Sequence, residues 1–137
     1  AQGRPLSVVF VDLDHFKAVN DQHGHAVGDE VLVEAARRLA DHLRGGELAA
    51  RHGGEEFVLL LPGADAEHAR AAAERIREDV AGRPFATSVG PLSITASFGI
   101  AGTGDATTRR AFDARDLLAR ADAAMYRAKT AGRNRVP

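Results

Sequence analysis

The sequence feature that most constrains the fold is the pair Gly53-Gly54, placed between two short extended runs that reach from about residue 48 to residue 61. Glycine adopts a positive φ without steric cost, so the pair predicts a two-residue turn that closes a β-hairpin. Glu55-Glu56 follows this turn directly, although glutamate is depleted in strands. The two carboxylates belong either to a solvated hairpin tip or to a functional site, and the hairpin alone leaves both interpretations open.

Composition and charge exclude several classes of protein. The 137 residues predict a single domain, and the net charge of −1 gives no electrostatic basis for binding nucleic acid or an anionic membrane. Cysteine is absent, which excludes disulfides and thiolate metal sites. No apolar run approaches the ~20 residues that span a bilayer, and no signal peptide opens the chain. We therefore expect no nucleic acid and no membrane contact by this domain.

The first part of the chain predicts a buried strand followed by helices. Residues 6–11 form an apolar run rich in β-branched side chains, which is typical of a central strand covered on both faces. A short helical stretch follows and stops near Gly24. Apolar side chains with a period of 3.6 residues then predict a helix from His25 to Leu43.

The second part continues with a helix, a strand and a last helix. After the hairpin, Asp65 is placed to cap a helix that Gly82 stops. The remaining elements are a strand at residues 93–101, a polar loop at residues 102–108 and a helix from Asp113 that Gly132 ends. The order β-α-α-β-β-α-β-α predicts an α/β (α+β) fold: a mixed central sheet with a β-hairpin, flanked by helices.

Acidic side chains stand at the end of the first strand and at the start of the second hairpin strand. Successive residues of a strand point to opposite faces, so only one of Glu55 and Glu56 can share a face with Asp12. Carboxylates that converge at a sheet edge suit a hard cation such as Mg²⁺ or Mn²⁺. Strand termination and helix capping are the alternative for Asp12 and Asp14.

Two further pairs have both a functional and a structural interpretation. Asn20 and Asp29 are suited to read a base, since a carboxylate accepts two hydrogen bonds from the N1–H and N2 amino edge of guanine. Asp29 is equally suited to cap a helix or to place a negative charge at its N-terminus, where the helix dipole favours one. Lys129 and Arg133 stand near a helix end, where cations are favourable, and would hold a triphosphate only if the fold brings them to the metal site.

Other catalytic patterns are missing or incomplete. The six histidines have no metal-binding spacing such as H-E-x-x-H, and neither a Walker motif nor G-x-S-x-G is present. The D-x-D sequence at residues 12–14 also suits phosphatases that form an aspartyl-phosphate, but that interpretation leaves the Gly-Gly-Glu-Glu hairpin unexplained.

Four motifs occur in order along residues 6–136. Residues 12–29 match D-x-D-x-F-K-x-x-N-D-x-x-G-H-x-x-G-D, and residues 53–57 read G-G-E-E-F. Residues 97–101, S-F-G-I-A, and residues 121–134, A-D-A-A-M-Y-R-A-K-T-A-G-R-N, follow. Together these motifs resemble the GGDEF family of diguanylate cyclases, in its G-G-E-E-F variant.

The resemblance implies a nucleotidyl-cyclase or palm-like domain that condenses two GTP into cyclic di-GMP and two pyrophosphates. One such domain holds one GTP, so a second copy of the domain is implied, at least in a transient homodimer. The alternative is a catalytically weak or inactive module that binds GTP or cyclic di-GMP. The resemblance also implies a cytoplasmic location and an N-terminal sensor or receiver domain in the full protein, which in some relatives is a membrane-bound sensor.

Roles for individual residues are implied by the same resemblance. Asp12, the Leu13 carbonyl and Glu55 would hold Mg²⁺ or Mn²⁺. Glu55 would also accept the proton of the 3′-hydroxyl, and Glu56 would support the site from the other face. The remaining implied contacts to the nucleotide are guanine reading by Asn20 and Asp29, phosphate binding by Phe16, Lys17, Lys129 and Arg133, and close backbone approach at Gly53 and Gly54.

Two departures from the family pattern matter. The family's inhibitory R-x-x-D, where product binds, reads Arg44-Gly45-Gly46-Glu47 here, with Arg75 as a further product-binding arginine. Inhibition by cyclic di-GMP is therefore left open. The family's N-terminal helix and L-T-G-L-x-N-R block are missing from residues 1–137, so the chain resembles a shortened catalytic domain.

Overall fold

The structure, a computed structural model, describes residues 5–102 and 114–137. The main sheet consists of β1 (Leu6–Leu13), β2 (Leu48–Gly53), β3 (Glu56–Pro62) and β6 (Ala96–Gly102). A separate two-stranded sheet consists of β4 (Phe85–Thr87) and β5 (Gly90–Leu92). The helices are α1 (Phe16–His23), α2 (His25–Asp41), α3 (Ala66–Gly82) and α4 (Ala114–Thr130).

The main sheet has the strand order β2-β3-β1-β6, and its pairings are all antiparallel. β1 and β2 run in the same direction but are separated by β3, and β1 separates β3 from β6 in the same way. Each helical connection thus joins parallel strands that do not pair, as in ferredoxin-like β-α-β-β-α-β folds. The α+β class with a hairpin and flanking helices is confirmed. The expected mixed sheet, with both parallel and antiparallel pairs, is wrong, because an antiparallel strand lies between the strands that run in the same direction.

β1 is covered on both faces, as its apolar sequence predicts. Val9 and Val11 face one side, in a core that includes residues of α2 and α3. Val8 and Phe10 face the other side, where Leu117 and other apolar residues of α4 cover them. This double burial fixes the register of β1, since a slip of one residue would exchange the two cores and displace the acidic end of the strand.

α4 lies directly on the backbone of β6. A Cβ atom built on Gly99 of β6 would collide with the Ala121 carbonyl oxygen and with the backbone of Met125. Only glycine permits a helix and a strand to approach so closely at this point. The contact seats α4 so that Lys129, near its end, reaches the end of β1.

A buried arginine of α2 holds the end of α3. Arg38 is 2% exposed, and its guanidinium donates to the Glu34 carboxylate at 2.7 Å. It also donates to the carbonyl oxygens of Asp79 at 3.2 Å and Arg83 at 2.8 Å, and it lies 4.0 Å from the centre of the Phe85 ring. The last carbonyls of a helix lack partners within it, so this side chain takes the place of a cap.

The predicted helices are confirmed, with small shifts at their ends. α1 is the short helix that stops before Gly24, and α2 ends at Asp41 rather than at Leu43. Asp65 caps α3 as predicted, since its carboxylate accepts from the backbone N–H of His68 at 2.8 Å. Within the two described ranges, no helix combines the length and the apolar character needed to cross a membrane.

The strands differ more from the prediction. β1 continues to Leu13, beyond the predicted run, and β6 starts at Ala96 rather than at residue 93. The β4–β5 hairpin has no counterpart in the sequence prediction. Residues 103–113, which include most of the predicted polar loop and the predicted helix start at Asp113, lie outside the described residues.

Candidate active site

The turn of the β2–β3 hairpin lies one residue later than the sequence predicts. Gly53 is still paired, opposite Glu56, so the turn consists of Gly54 and Glu55. Gly54 has φ +50°, which favours glycine, and the register of the hairpin shifts between Arg51 and Gly53. Glu55 is therefore a turn residue, and the alternation of side chains along a strand does not decide where it points.

Glu56, rather than Glu55, lies opposite Asp12. The β1–β3 register pairs the two residues, and directly opposite side chains of an antiparallel pair share a face. The expected position of Glu56 on the other face is therefore wrong, while its supporting role stays a prediction. Glu55 approaches the end of β1 through its backbone, since its carbonyl oxygen accepts from the Leu13 N–H at 3.3 Å.

Asp12 is a largely buried carboxylate, with a side chain that is 12% exposed. Burial raises the pKa of Asp12 to about 6, against the lowering effect of Lys129 and with a further rise caused by Glu55 and Glu56. Three carboxylates therefore influence one another at this end of the sheet. A carboxylate in this setting favours a nearby cation, because a positive charge offsets both the burial and the like charges.

Lys129 supplies one positive charge there. Its Nζ atom lies 3.1 Å from Asp12 Oδ1 and 2.8 Å from Asp14 Oδ1. The carbonyl oxygens of Asp12 and Leu13 are each 3.5 Å from the same atom. The ammonium group thus contacts two of the groups that the family resemblance assigns to a metal ion, the Asp12 carboxylate and the Leu13 carbonyl.

Asp14 connects separate parts of the chain. Its carboxylate, 1% exposed, accepts from the hydroxyls of Thr95 and Ser97 at 2.6 and 2.7 Å, from Lys129 Nζ at 2.8 Å and from the Asn134 N–H at 3.0 Å. Burial alone would raise the pKa of Asp14, but hydrogen bonds from Lys129 and the two hydroxyls keep it below its ordinary value. The capping interpretation of Asp14 is wrong, since no side chain caps the start of α1.

A cavity of about 430 Å³ opens beside the hairpin turn. Its lining comprises Phe16, Lys17, Asn20, His25, Asp29, Leu32, Arg51, Gly54 and Glu55. The predicted guanine-reading pair and Glu55 therefore share one cavity, which we call the base cavity. Asp29 is the fifth residue of α2, whose first turn contains no acidic residue, so the helix-start interpretation of Asp29 is wrong.

The Asn20 side chain carries an unpaired polar atom. Its Oδ1 atom is buried and has no hydrogen-bond partner among the residues that the structure describes. A Cβ atom on Gly28 would collide with it, which accounts for glycine at that position. An unpaired buried acceptor costs about 1–3 kcal/mol, and a ligand that donates a hydrogen bond to the amide would recover that cost.

A second cavity, of about 680 Å³, lies along the last turns of α4. It is lined by Asp12, Asp122, Met125, Tyr126, Lys129, Thr130 and Arg133. Two of the predicted phosphate-binding cations thus share a cavity with the first predicted metal ligand, and we call it the phosphate cavity. Lys17 lines the base cavity instead, and its ammonium pairs with the Asp21 carboxylate at 3.0 Å on the exposed surface.

The backbone after α4 has an unusual conformation. Arg133 and Asn134 have φ values of +67° and +47°, which residues other than glycine rarely adopt. The Asn134 N–H donates to Asp14, its Oδ1 atom accepts from Arg77 at 3.1 Å, and the Arg133 N–H donates to the Ala128 carbonyl at 2.8 Å. These contacts hold the strained segment that carries Arg133 beside the phosphate cavity.

The fit to a metal ion depends on the donors present. The described residues contain no group of three or more histidine, aspartate or glutamate side chains gathered around a metal position. The Asp12 carboxylate, the Leu13 carbonyl and the Glu55 carboxylate are nevertheless hard oxygen donors near one end of the sheet. Such a partial set fits Mg²⁺ or Mn²⁺, which keep positions open for water and substrate phosphates.

Arg44, Glu47 and Arg75, the predicted product-inhibition residues, line a third cavity of about 430 Å³. Glu47 Oε1 accepts from the Arg44 N–H at 2.7 Å, and the Glu47 N–H donates to the Arg44 carbonyl at 3.0 Å. The Glu47 carboxylate therefore closes its own turn. Product binding at this cavity stays a prediction.

Comparison with known proteins decides the family. A sequence model described as "Diguanylate cyclase, GGDEF domain" matches residues 1–135. The chain belongs to the GGDEF family. This GGDEF domain is 45% identical over 137 residues to the response regulator PleD of Caulobacter vibrioides, covering 98% of the chain and 29% of the relative. It is 45% identical over 135 residues to the diguanylate cyclase DgcP of Pseudomonas aeruginosa, covering 98% of the chain and 19% of the relative.

Solved structures of the family share the fold of this GGDEF domain. The GGDEF domain of DgcB from Caulobacter crescentus, in complex with c-di-GMP, matches with a TM-score of 0.89 and 34% identity, over 98% of this chain and 77% of that one. The active GGEEF domain of a diguanylate cyclase from Vibrio cholerae matches with a TM-score of 0.84 and 37% identity, over 97% and 81%. The predicted family and its α+β fold are confirmed.

Sequence analysis of the GGDEF domain missed several residues of the site. Asp14 has no functional role in the prediction, although its carboxylate accepts hydrogen bonds from Thr95, Ser97, Lys129 and Asn134. Arg51 lines the base cavity and donates to the Gly54 carbonyl at 2.9 Å. Asp122 and Tyr126 line the phosphate cavity. Asp14, Asp122 and Tyr126 lie within the family motifs at residues 12–29 and 121–134, and this was the sequence signal for them. Arg51 lies outside the motifs.

Proposed function

We propose that this GGDEF domain is a diguanylate cyclase, which condenses two GTP into cyclic di-GMP and two pyrophosphates. One observation carries the proposal. Asp12, at the end of β1, lines the phosphate cavity with its two cations, and Glu55, in the hairpin turn, lines the base cavity with the guanine-reading pair. A backbone hydrogen bond connects the turn to the end of β1, so the two carboxylates belong to the same end of the sheet. The likeness to a domain solved with c-di-GMP and to an active cyclase domain supports the same assignment.

The proposed reaction forms one bond and breaks one bond at each phosphate. The 3′-hydroxyl oxygen of one GTP bonds to the α-phosphorus of the other GTP. The bond from that phosphorus to the bridging oxygen breaks, and pyrophosphate leaves with the electron pair. Glu55 accepts the hydroxyl proton, because it lies in the turn beside the base cavity and next to the metal ligands. A second such step closes the ring.

Side chains of both cavities bind and orient the nucleotide. Asp29 accepts hydrogen bonds from the N1–H and N2 amino groups of guanine, and the Asn20 amide gains the partner that its buried Oδ1 lacks. Lys129 and Arg133 hold the phosphates by charge-assisted hydrogen bonds. Adenine has neither the N1–H nor the N2 amino group, so the contacts to Asp29 select GTP over ATP.

A divalent ion would be held by Asp12, the Leu13 carbonyl and Glu55. When bound, Mg²⁺ or Mn²⁺ supplies charge neutralisation for the phosphates. Glu56 lies opposite Asp12 and adds negative charge to this end of the sheet, which favours the ion.

The proposed reaction needs two domains, each with one base cavity and one GTP. We propose that they meet face to face in a homodimer, at least transiently. We also propose that the domain acts in the cytoplasm as the output part of a longer protein with a sensor or receiver domain. This is supported by the greater length of its relatives, of which the chain covers 29% and 19%.

Incubation of the purified domain with GTP and Mg²⁺ or Mn²⁺ tests the proposal. We expect chromatography to detect cyclic di-GMP, with two pyrophosphates released for each molecule formed. Cyclic di-GMP missing at every protein concentration, up to the limit of solubility, would contradict cyclase activity. Added ATP in a competition arm tests the selection of guanine.

A nucleotide-binding module without turnover is the second candidate. It is favoured by the observation that the described residues contain no group of three or more histidine, aspartate or glutamate side chains that could hold a metal ion. Calorimetry distinguishes the two functions: tight binding of GTP or cyclic di-GMP without pyrophosphate release would identify the binding module.

A further inference from the structure

The Lys129 ammonium group lies among oxygens that suit a metal ion. Within 3.5 Å of its Nζ atom are one carboxylate oxygen and the carbonyl oxygen of Asp12, the carbonyl oxygen of Leu13 and one carboxylate oxygen of Asp14. The Asp12 carboxylate and the Leu13 carbonyl are proposed metal ligands. An ammonium in this position neutralises the same negative charge that a divalent ion would neutralise.

Asp14 holds the ammonium in place. It is the nearest of these groups to Nζ, at 2.8 Å, and its own carboxylate is fixed by Thr95 and Ser97 at 2.6 and 2.7 Å. The Lys129 side chain is only 19% exposed, and its helix is seated on β6 at Gly99. Lys129 is therefore a positioned charge rather than a mobile surface cation.

We propose that Lys129 is a built-in counter-cation, which competes with the divalent ion for Asp12 as long as no nucleotide is bound. Like charges a few ångströms apart repel strongly in a largely buried site, so the ammonium lowers the affinity for a metal ion that arrives alone. A triphosphate brings several negative charges, and Lys129 then pairs with these phosphates instead of Asp12. Metal and nucleotide thus bind cooperatively. The inference rests on the proposed function in taking Asp12 and Leu13 as metal ligands and Lys129 as a phosphate-binding residue.

Titration of the nucleotide-free domain with Mn²⁺, followed by the electron paramagnetic resonance of free Mn²⁺, tests the inference. We expect the Lys129→Met variant to bind Mn²⁺ about tenfold more tightly than the wild-type domain, because the competing charge is gone. Lys129→Arg keeps the charge and should restore weak binding. Lys129→Gln replaces the methionine variant if circular dichroism shows that the latter is misfolded.

Arg133→Met is the matched control. This variant also removes a cation from the phosphate cavity, but Arg133 makes no described hydrogen bond or ion pair with Asp12. We expect its Mn²⁺ affinity to stay within about threefold of the wild-type value. With a non-reactive α,β-methylene analogue of GTP, both variants should bind the nucleotide less tightly than the wild-type domain.

Two results would overturn the inference: a folded Lys129→Met domain with wild-type or weaker Mn²⁺ affinity, or an Arg133→Met domain whose affinity rises as much. The titration contains no GTP, so its outcome is independent of turnover. A domain that produces no cyclic di-GMP, yet binds Mn²⁺ more tightly without Lys129, would refute the cyclase proposal and support the counter-cation.

Discussion

At the scale of single residues, the position of one turn decides which glutamate lies opposite Asp12. Gly54-Glu55 forms the turn, so Glu56 begins β3 and is paired with Asp12, while Glu55 is released from the strand. The two neighbouring glutamates therefore have different surroundings. Glu55 lines the base cavity, and Glu56 lies on the sheet face that α4 covers farther along β1.

Glu55→Gln should reduce cyclic di-GMP formation at least about a hundredfold, because the amide neither accepts the proton nor carries the charge that holds a metal ion. The midpoint of thermal unfolding should stay near the wild-type value, since Glu55 lies in a turn and outside the cores. Product formation and circular dichroism measure the two effects. Glu56→Gln is the matched control and should lose less activity. A Glu55→Gln domain with the wild-type rate would exclude the proposed role.

Asp29→Ala should raise the KM for GTP about tenfold or more and reduce the preference for GTP over ATP, because the guanine N1–H and N2 amino groups lose their acceptor. Initial rates with each nucleotide measure the preference. Asp41→Ala, which removes an exposed carboxylate at the other end of α2, is the control and should behave as wild type. An unchanged ratio of GTP to ATP in the Asp29 variant would contradict base reading by this residue.

The sequence predicted which residues line the candidate site better than it predicted their arrangement. Alternation predicts that only one of the two glutamates shares a face with Asp12, and the register places Glu56 on that face, but the rule does not apply to Glu55, which lies in the turn. Which one it is depends on a slip of one residue in the turn, and Gly53 and Gly54 are equally able to occupy the turn on conformational grounds. Asp14 could not be predicted as a centre of hydrogen bonds, since its partners come from residues 95–134 and meet only in the folded chain.

At the scale of secondary-structure elements, α2 and α3 are joined at the end of α3 by charged side chains. Arg38→Met should lower the free energy of unfolding by about 3 kcal/mol, because the carbonyls of Asp79 and Arg83 lose a buried donor. Denaturation by urea measures the change. Arg37→Met removes the exposed neighbour on the same helix and should leave the free energy of unfolding close to the wild-type value. Equal losses in the two variants would contradict the capping role of Arg38.

The same junction predicts a dependence of stability on pH. Hydrogen bonds from Arg83 and His42 lower the pKa of Asp79 to about 2. A carboxyl whose pKa is depressed by folding stabilises the folded state above its unfolded pKa, and this contribution is lost as the pH falls from about 4 through 2. Asp79→Asn should therefore reduce the free energy of unfolding at pH 7 more than at pH 3, as guanidinium denaturation can measure. A difference that is the same at both pH values would refute the assignment.

Helices were more predictable than strands at this scale, for a physical reason. α2 and α3 are long enough to show a 3.6-residue period and have recognisable ends, such as Asp65. β4 and β5 contain three residues each, too few to show alternation, and β5 has a proline at its centre. The parallel pairs expected in a mixed sheet are not formed in the main sheet, because packing and not the order along the chain decides which strands become neighbours.

At the scale of the whole molecule, the proposed reaction has a kinetic signature. If each domain holds one GTP, product formation needs two domains to meet, so the initial rate should rise with the square of protein concentration until dimers predominate. Pyrophosphate release at saturating GTP over a wide range of protein concentrations measures this order. A rate proportional to protein concentration throughout would contradict assembly of the site from two dissociating domains.

Gly99 has a consequence for how such a molecule can be regulated. At Gly99 no side chain of the strand separates it from the backbone of the helix, so the two elements cannot slide past each other there without a clash. α4 therefore moves as one piece with the sheet, and it carries Lys129 with it. We expect an incoming signal to leave the interior of the domain unaltered and to act from outside, by changing how often and in which orientation two domains meet. If the domain is the proposed cyclase, it is rigid in itself and becomes active only when it meets a second copy.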